Sequence, residues 1–326
     1  LKLYTMSNTG GRTWDCGMIP YMPVPQQWFK RFRAMLDANK KWGLSGVMDC
    51  HHYGWFPSPV CETSKWAFWS PETDLDNRLM QIAARDFGKA AARDVVSAWQ
   101  HWSDAVDSYT PGFDDQAGAL RVGPAYPFIF SPILYPHVEQ SMIFPTTPQA
   151  TVKGAHLNAF YQPEHLYGMT NCGRRIHEDI KIVSKAIKIW EKGVKRMQAA
   201  LAKVPASKRE EAERQAGVGF FFYHTLKSML HIKQWWVLNK KLEVEYDFKK
   251  ADAMLDQMTA IIQSEVENVN ATMPLVKADS LLGWEPSIDY CCDPERLEWK
   301  LRQLNNLLEH TLPAYRKTVG PHPPSR

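Results

Sequence analysis

Two carboxylates stand in surroundings suited to acid–base chemistry. Asp15 closes Asn8-Thr9-Gly10-Gly11-Arg12-Thr13-Trp14-Asp15, and Asp49 follows an apolar run in Val47-Met48-Asp49-Cys50-His51-His52-Tyr53-Gly54-Trp55. Two carboxyl groups flanking a glycosidic bond are the minimum equipment for hydrolysing it, one as acid and the other as base or nucleophile. Asp49 ends an apolar strand pattern and precedes polar and aromatic residues, which disfavours full solvation. Asp15 suits a turn or helix cap as well as it suits catalysis. His51 and His52 point to opposite faces if the strand continues, so they cannot both chelate a metal from one side. Either can hydrogen-bond a substrate hydroxyl, orient Asp49 or serve the structure alone. Trp14, Tyr53, Trp55 and Phe56 offer flat faces on which a sugar ring could stack, or could pack a core. This chemistry calls for no metal and no cofactor.

Positioning such residues requires ordered elements on either side of them. Leu3-Tyr4-Thr5-Met6 reads as a strand. After Pro23 and Pro25, the helical spacing of Trp28, Phe29, Phe32, Met35 and Leu36 predicts a helix stopped by Gly43. Leu44 to Cys50 then reads as a second, buried strand. Strand, loop, helix, strand is a βα repeat unit, in which the loops after the strands' C-terminal ends carry chemistry.

From about residue 73 the pattern turns helical. Val95, Val96, Trp99, Trp102 and Val106 mark one helix, from near Lys89 to before Pro111. The clearest stripe is Ile176, Ile180, Val183, Ile187, Trp190, Val194, Met197 and Leu201, which places Trp190 in a core. Phe222, Leu226, Met229 and Trp236 form another, and Phe248, Ala251, Leu255, Met258, Ile262, Val266 and Val269 a further one. Leu297, Leu301, Leu304, Leu308 and Leu312 form the last. These stripes predict a bundle of long helices. Between about 110 and 163 lies an irregular Pro-rich region containing Tyr126-Pro127-Phe128-Ile129-Phe130. Trp66 and Trp69 read as packing between the first region and the helices.

Composition narrows the partners. The 326 residues carry 39 Lys and Arg against 35 Asp and Glu, a net +4, with a pI of 8.6, short of a dedicated nucleic-acid binder. Lys240-Lys241 and Lys249-Lys250 read as solvated helix faces. No apolar run reaches the 18 or more residues of a membrane span. Cysteines 16, 50, 61, 172, 291 and 292 form no CxxC pair and read as buried or free thiols. With no GxGxxG after a strand, no P-loop and no GxSxG, the dinucleotide, nucleotide and α/β-hydrolase readings lack their motifs.

Trp14-Asp15 with Ile19-Pro20-Tyr21-Met22-Pro23-Val24-Pro25, then Gly46-Val47-Met48-Asp49 with Tyr53-Gly54-Trp55-Phe56-Pro57-Ser58-Pro59, resembles the last two strand-loop units of a (β/α)8-barrel glycoside hydrolase. Ala84-Arg85-Asp86-Phe87-Gly88 and Ala98 to Ala105 look like the start of the helical C-terminal region that accompanies some bacterial barrels of this type. Periodicity predicts a mainly α fold, and with the resemblance it gives a βα-barrel segment over 1–70 and a long-helix domain over 71–326. The resemblance implies a carbohydrate substrate held on a rim of Trp14, Asp15, Asp49, Tyr53 and Trp55. Because two strands cannot close a barrel, further polypeptide or another subunit is expected to complete it. The other reading is a non-catalytic helical scaffold that binds glycan or supports a barrel.

Overall fold

The computed structural model describes residues 2–7, 19–48, 56–69, 74–109, 119–130, 172–285 and 289–320. Of these, 77% are helical and 5% lie in strands, so the mainly α class holds. The chain divides into two compact units. One comprises Leu1–Pro111, Ile182–Tyr223 and Trp284–Ser287, and the other Gly112–Lys181, His224–Gly283 and Ile288–Arg326.

The first unit opens with β1 (Leu3–Met6), α1 (Pro25–Trp42) and β2 (Leu44–Met48). The two strands pair in parallel, with Tyr4 opposite Gly46, Thr5 opposite Val47 and Met6 opposite Met48. This is the expected βα unit, reduced to a two-stranded sheet. Pro25 begins α1 with a preset φ and no N–H to leave unpaired. Gly43 ends it in the left-handed region at φ 69°, where its N–H reaches the Asn39 carbonyl at 3.1 Å. Trp28, Phe29, Phe32 and Met35 are buried as their spacing requires, whereas Leu36 is only half-buried.

Three helices follow: α2 (Pro59–Ala67), α3 (Leu75–Phe87) and α4 (Ala92–Asp107). Helix α1 packs on α2 and α4, and the Gln27 N–H and Gln26 amide bond Ser103 Oγ (3.3 Å) and the Val96 carbonyl (3.1 Å). The core of this unit is built on Trp102 of α4. A short helix, α5 (Ala119–Val122), precedes α6 (Cys172–Leu201) and α7 (Arg209–Leu242), each of which contributes residues to both units. Trp102 and Trp190 of α6 stack at 5.2 Å, and each indole N–H donates to a carbonyl, of Trp190 (3.2 Å) and Gly219 (2.9 Å) respectively. Gly193 and Gly219 admit the Trp102 ring because neither has a Cβ, which would lie 2.4 and 2.2 Å from it.

Helix α7 is far longer than the stripe from Phe222 to Trp236 implies. Its buried residues, among them Val218, Phe221, Phe222, Leu226, Met229, Trp235 and Leu238, occur on all sides, so single-face periodicity marks only part of it.

In the second unit stand α8 (Phe248–Ala278), the short strand β4 (Asp289–Tyr290) and α9 (Pro294–Asn306), while the short strand β3 (Trp284–Glu285), which precedes β4 in the chain, belongs to the first unit. A π-helical turn, Leu307–Thr311, joins α9 to α10 (Leu312–Val319). The expected leucine stripe changes register there. Leu304, Leu307 and Leu312 are buried and Leu308 only partly, because Pro313 cannot donate to the carbonyl four residues back and the turn widens by one residue. No helix among the described residues is long and apolar enough to cross a membrane. Cys61, Cys291 and Cys292 are buried thiols.

Candidate functional site

Strand register fixes where the two aspartate-bearing segments leave the sheet. Met6 and Met48 end β1 and β2 as partners, and the Ser7 N–H donates to the Met48 carbonyl at 2.9 Å. Both strands therefore release the chain at one end of the sheet, the end from which βα loops project. Asp49 is the next residue after Met48, and Asp15 lies eight residues beyond Ser7. Asp15, Asp49, Trp14, His51, His52, Tyr53 and Trp55 all lie outside the described residues. Of the expected aromatic platform only Phe56 is described, and it stacks on the buried Tyr21 ring at 6.0 Å.

Immediately after this segment the first unit forms a cleft of 480 Å³. Ser58 caps α2 through a 3.1 Å bond from the Cys61 N–H, and Pro59 occupies the first turn. The cap sets the phase of the helix so that Glu62 and Trp66, four residues apart, share the face that lines the cleft. Arg85 of α3 bridges two carboxylates. Its Nη1 lies 2.7 Å from Glu62 Oε2, and its Nε and Nη2 grip Asp86 at 2.7 and 3.1 Å. Asp86, the strongest influence, raises the Arg85 pKa above the ordinary arginine range, which keeps the bridge charged. Lys208 donates to the Arg85 carbonyl.

Trp66 and Trp69 stand 5.9 Å apart at 59°, forming an angled aromatic wall. The guanidinium of Arg78 covers Trp66 at 4.0 Å. Trp69 remains 61% exposed. The expectation that these tryptophans serve as packing therefore holds only for Trp66, because Trp69 follows the C-cap of α2 and has no helix face to bury. Across the cleft, Gln215 of α7 donates to Glu211 at 3.2 Å while its buried Oε1 meets no donor among the described residues.

The second unit holds a buried polar network that apolar periodicity passes over. Glu265 is fully buried and accepts from Ser228 Oγ and His231 Nδ1, each at 2.6 Å. Asn268 pairs with His224 Nδ1 at 2.7 Å and donates to Ser228 Oγ at 2.9 Å. Burial lowers the His224 pKa. Lys300 of α9, also fully buried, donates to the Tyr126 carbonyl and lies 3.8 Å over the Phe128 ring. Burial pushes its ammonium down to about 7 against the pull of Glu265. Gln303 bonds the Phe128 N–H and carbonyl and Trp235 donates to the Ile129 carbonyl, so side chains meet these backbone groups of the irregular 126–130 segment.

Ser264, His231 and Glu265 follow the order of a hydrolytic triad, with Ser264 Oγ 3.2 Å from His231 Nε2. Ser264 lies deep inside α8, where amide N–H groups are spent on helix carbonyls and none is left to form an oxyanion hole. The arrangement satisfies buried polar atoms and joins α7 to α8. Its sequence signal was positional: Glu265, Asn268 and Thr272 continue the buried face of Ile262, while the expected Val266 is half-buried and Phe248 exposed.

No protein-family model matches the chain, and no curated protein or solved structure matches it either.

Proposed function

We propose that the protein is a carbohydrate-active hydrolase, or the C-terminal portion of one, that cleaves a glycosidic bond with Asp49 and Asp15 as its carboxylates. The observation that carries this reading is the parallel β1–α1–β2 unit, whose two strands deliver the Asp15 and Asp49 segments from the same end of the sheet. Trp14, His51, His52, Tyr53 and Trp55 lie on those segments and supply stacking faces and hydrogen-bonding groups for a sugar. On this reading β1 and β2 belong to a (β/α)8-like barrel whose other strands come from further polypeptide or another subunit. The test is incubation of the native protein with neutral oligosaccharides and detection of new reducing ends. Shortened products formed by the native protein and abolished in an Asp15→Asn, Asp49→Asn double variant support the reading. Oligosaccharides left intact by the native protein contradict it.

The second reading, glycan binding without cleavage, is favoured by the Trp66–Trp69 cleft, where Arg85 holds both Glu62 and Asp86 in ion pairs. Carboxylates committed to a guanidinium position a ligand better than they transfer its protons.

A further inference from the structure

We propose that the cleft between α2, α3 and the start of α7 is a binding site for a neutral sugar ring, separate from the Asp15 and Asp49 segments. The site inherits its ligand class from the carbohydrate reading above, but its own residues make the case. Trp69 presents an exposed indole face at the cleft wall, and such a face buries the C–H side of a pyranose at little cost in side-chain freedom. Trp66 cannot play that part on the side that Arg78 covers, so it forms the corner against which the ring edge abuts.

The polar groups fit hydroxyls better than charge. Glu62, Asp86 and Glu211 are offset by Lys65 and Arg85, leaving three carboxylates against two cations around the cleft. Such a balance attracts no phosphate or uronate and repels no neutral polyol. Arg85 fixes Glu62 and Asp86 while leaving lone pairs on their oxygens that can accept O–H bonds. The buried Gln215 Oε1 is an acceptor with no donor among the described residues, and a ligand hydroxyl would satisfy it. The 480 Å³ volume falls within the range of small-molecule sites and accommodates one or two sugar rings.

The experiment measures binding by calorimetry and tryptophan fluorescence. The probes are cellohexaose, xylohexaose and maltohexaose, with hexagalacturonate as an anionic control. The proteins are the native form, Trp69→Ala and Gln215→Leu. Saturable binding of at least one neutral hexaose is expected, with affinity reduced about tenfold or more in Trp69→Ala and reduced less in Gln215→Leu. Because Trp69 is exposed, its variant should melt at the native temperature, which separates lost binding from lost folding. Failure of all three neutral sugars to bind overturns the proposal, as does a preference for hexagalacturonate or equal affinity in native and Trp69→Ala proteins. Glycan hydrolysis with binding indifferent to Trp69 would overturn the cleft and leave the hydrolase standing. Trp69-dependent binding without hydrolysis would do the reverse.

Discussion

Lys300 shows how a single residue's burial becomes a measurable property of the protein. Its folded pKa of about 7 lies below the ordinary 10.5, so between those values the unfolded chain holds a proton that the folded chain lacks. Stability from this residue is therefore fully present above about pH 10.5 and is lost as pH falls through about 7, a span worth on the order of a few kcal/mol. The clean window is pH 7 to about 8.5, below the range in which cysteines such as Cys292, whose pKa burial raises, begin to matter. Denaturant melts across that window should show stability rising with pH in the native protein and a flatter response in Lys300→Met. Equal slopes would mean that Lys300 is charged and paired in the fold. Removing Glu265, its attracting partner, should act differently. Glu265→Gln weakens the bonds from Ser228 and His231 and should lower the melting temperature at neutral pH. Neither residue was legible as buried from the sequence, because a Lys or Glu within a helical stripe looks like its solvated side.

At the scale of elements, periodicity carried most of the information. The strands at 3–6 and 44–48, α1, α6 and α8 stand where apolar spacing put them, and Trp190 is fully buried. Trp190→Ala should cost on the order of 3–5 kcal/mol in unfolding free energy, since it removes an indole stacked on Trp102 and a bond to the Gly219 carbonyl. What spacing missed were features set by partners: the extra turns of α7, the π-turn before Pro313 and the glycines beside Trp102. Gly219→Ala supplies the sharpest check of that packing. In an ordinary helix the change gains up to about 1 kcal/mol. Here the new methyl would sit 2.2 Å from the Trp102 ring, so a loss of about 1–3 kcal/mol is expected instead. A stabilised variant would show that the ring has room to move.

For the whole molecule, the two-stranded sheet is the part that asks for completion. Leu3, Tyr4 and Met6 of β1 and Met48 of β2 are exposed, Tyr4 by 71%, and among the described residues the sheet has two strands, each with an outer edge that no described strand covers. Open parallel strands with apolar side chains invite pairing, which is the physical reason to expect further polypeptide or a second subunit against them. Light scattering should therefore find the chain associated, with the strand amides protected from exchange. A monodisperse species of 37.5 kDa with freely exchanging strand amides would contradict this. The sequence made the βα unit legible, while the aspartates expected beyond its strands lie outside the described residues. It did not mark the Trp69 cleft, because that wall is assembled from residues more than a hundred positions apart, Glu62 and Trp69 on one side and Glu211 and Gln215 on the other.

The central claim is that Asp49, emerging from the end of β2, transfers a proton or attacks the anomeric carbon. Its most direct measurement is kcat on a cleaved oligosaccharide for native protein and Asp49→Asn, each paired with its melting temperature. A fall of about two to four orders of magnitude in kcat is expected, with the melting temperature unchanged. A variant that melts lower while its folded fraction keeps nearly native turnover would contradict the claim, and would make Asp49 a structural residue.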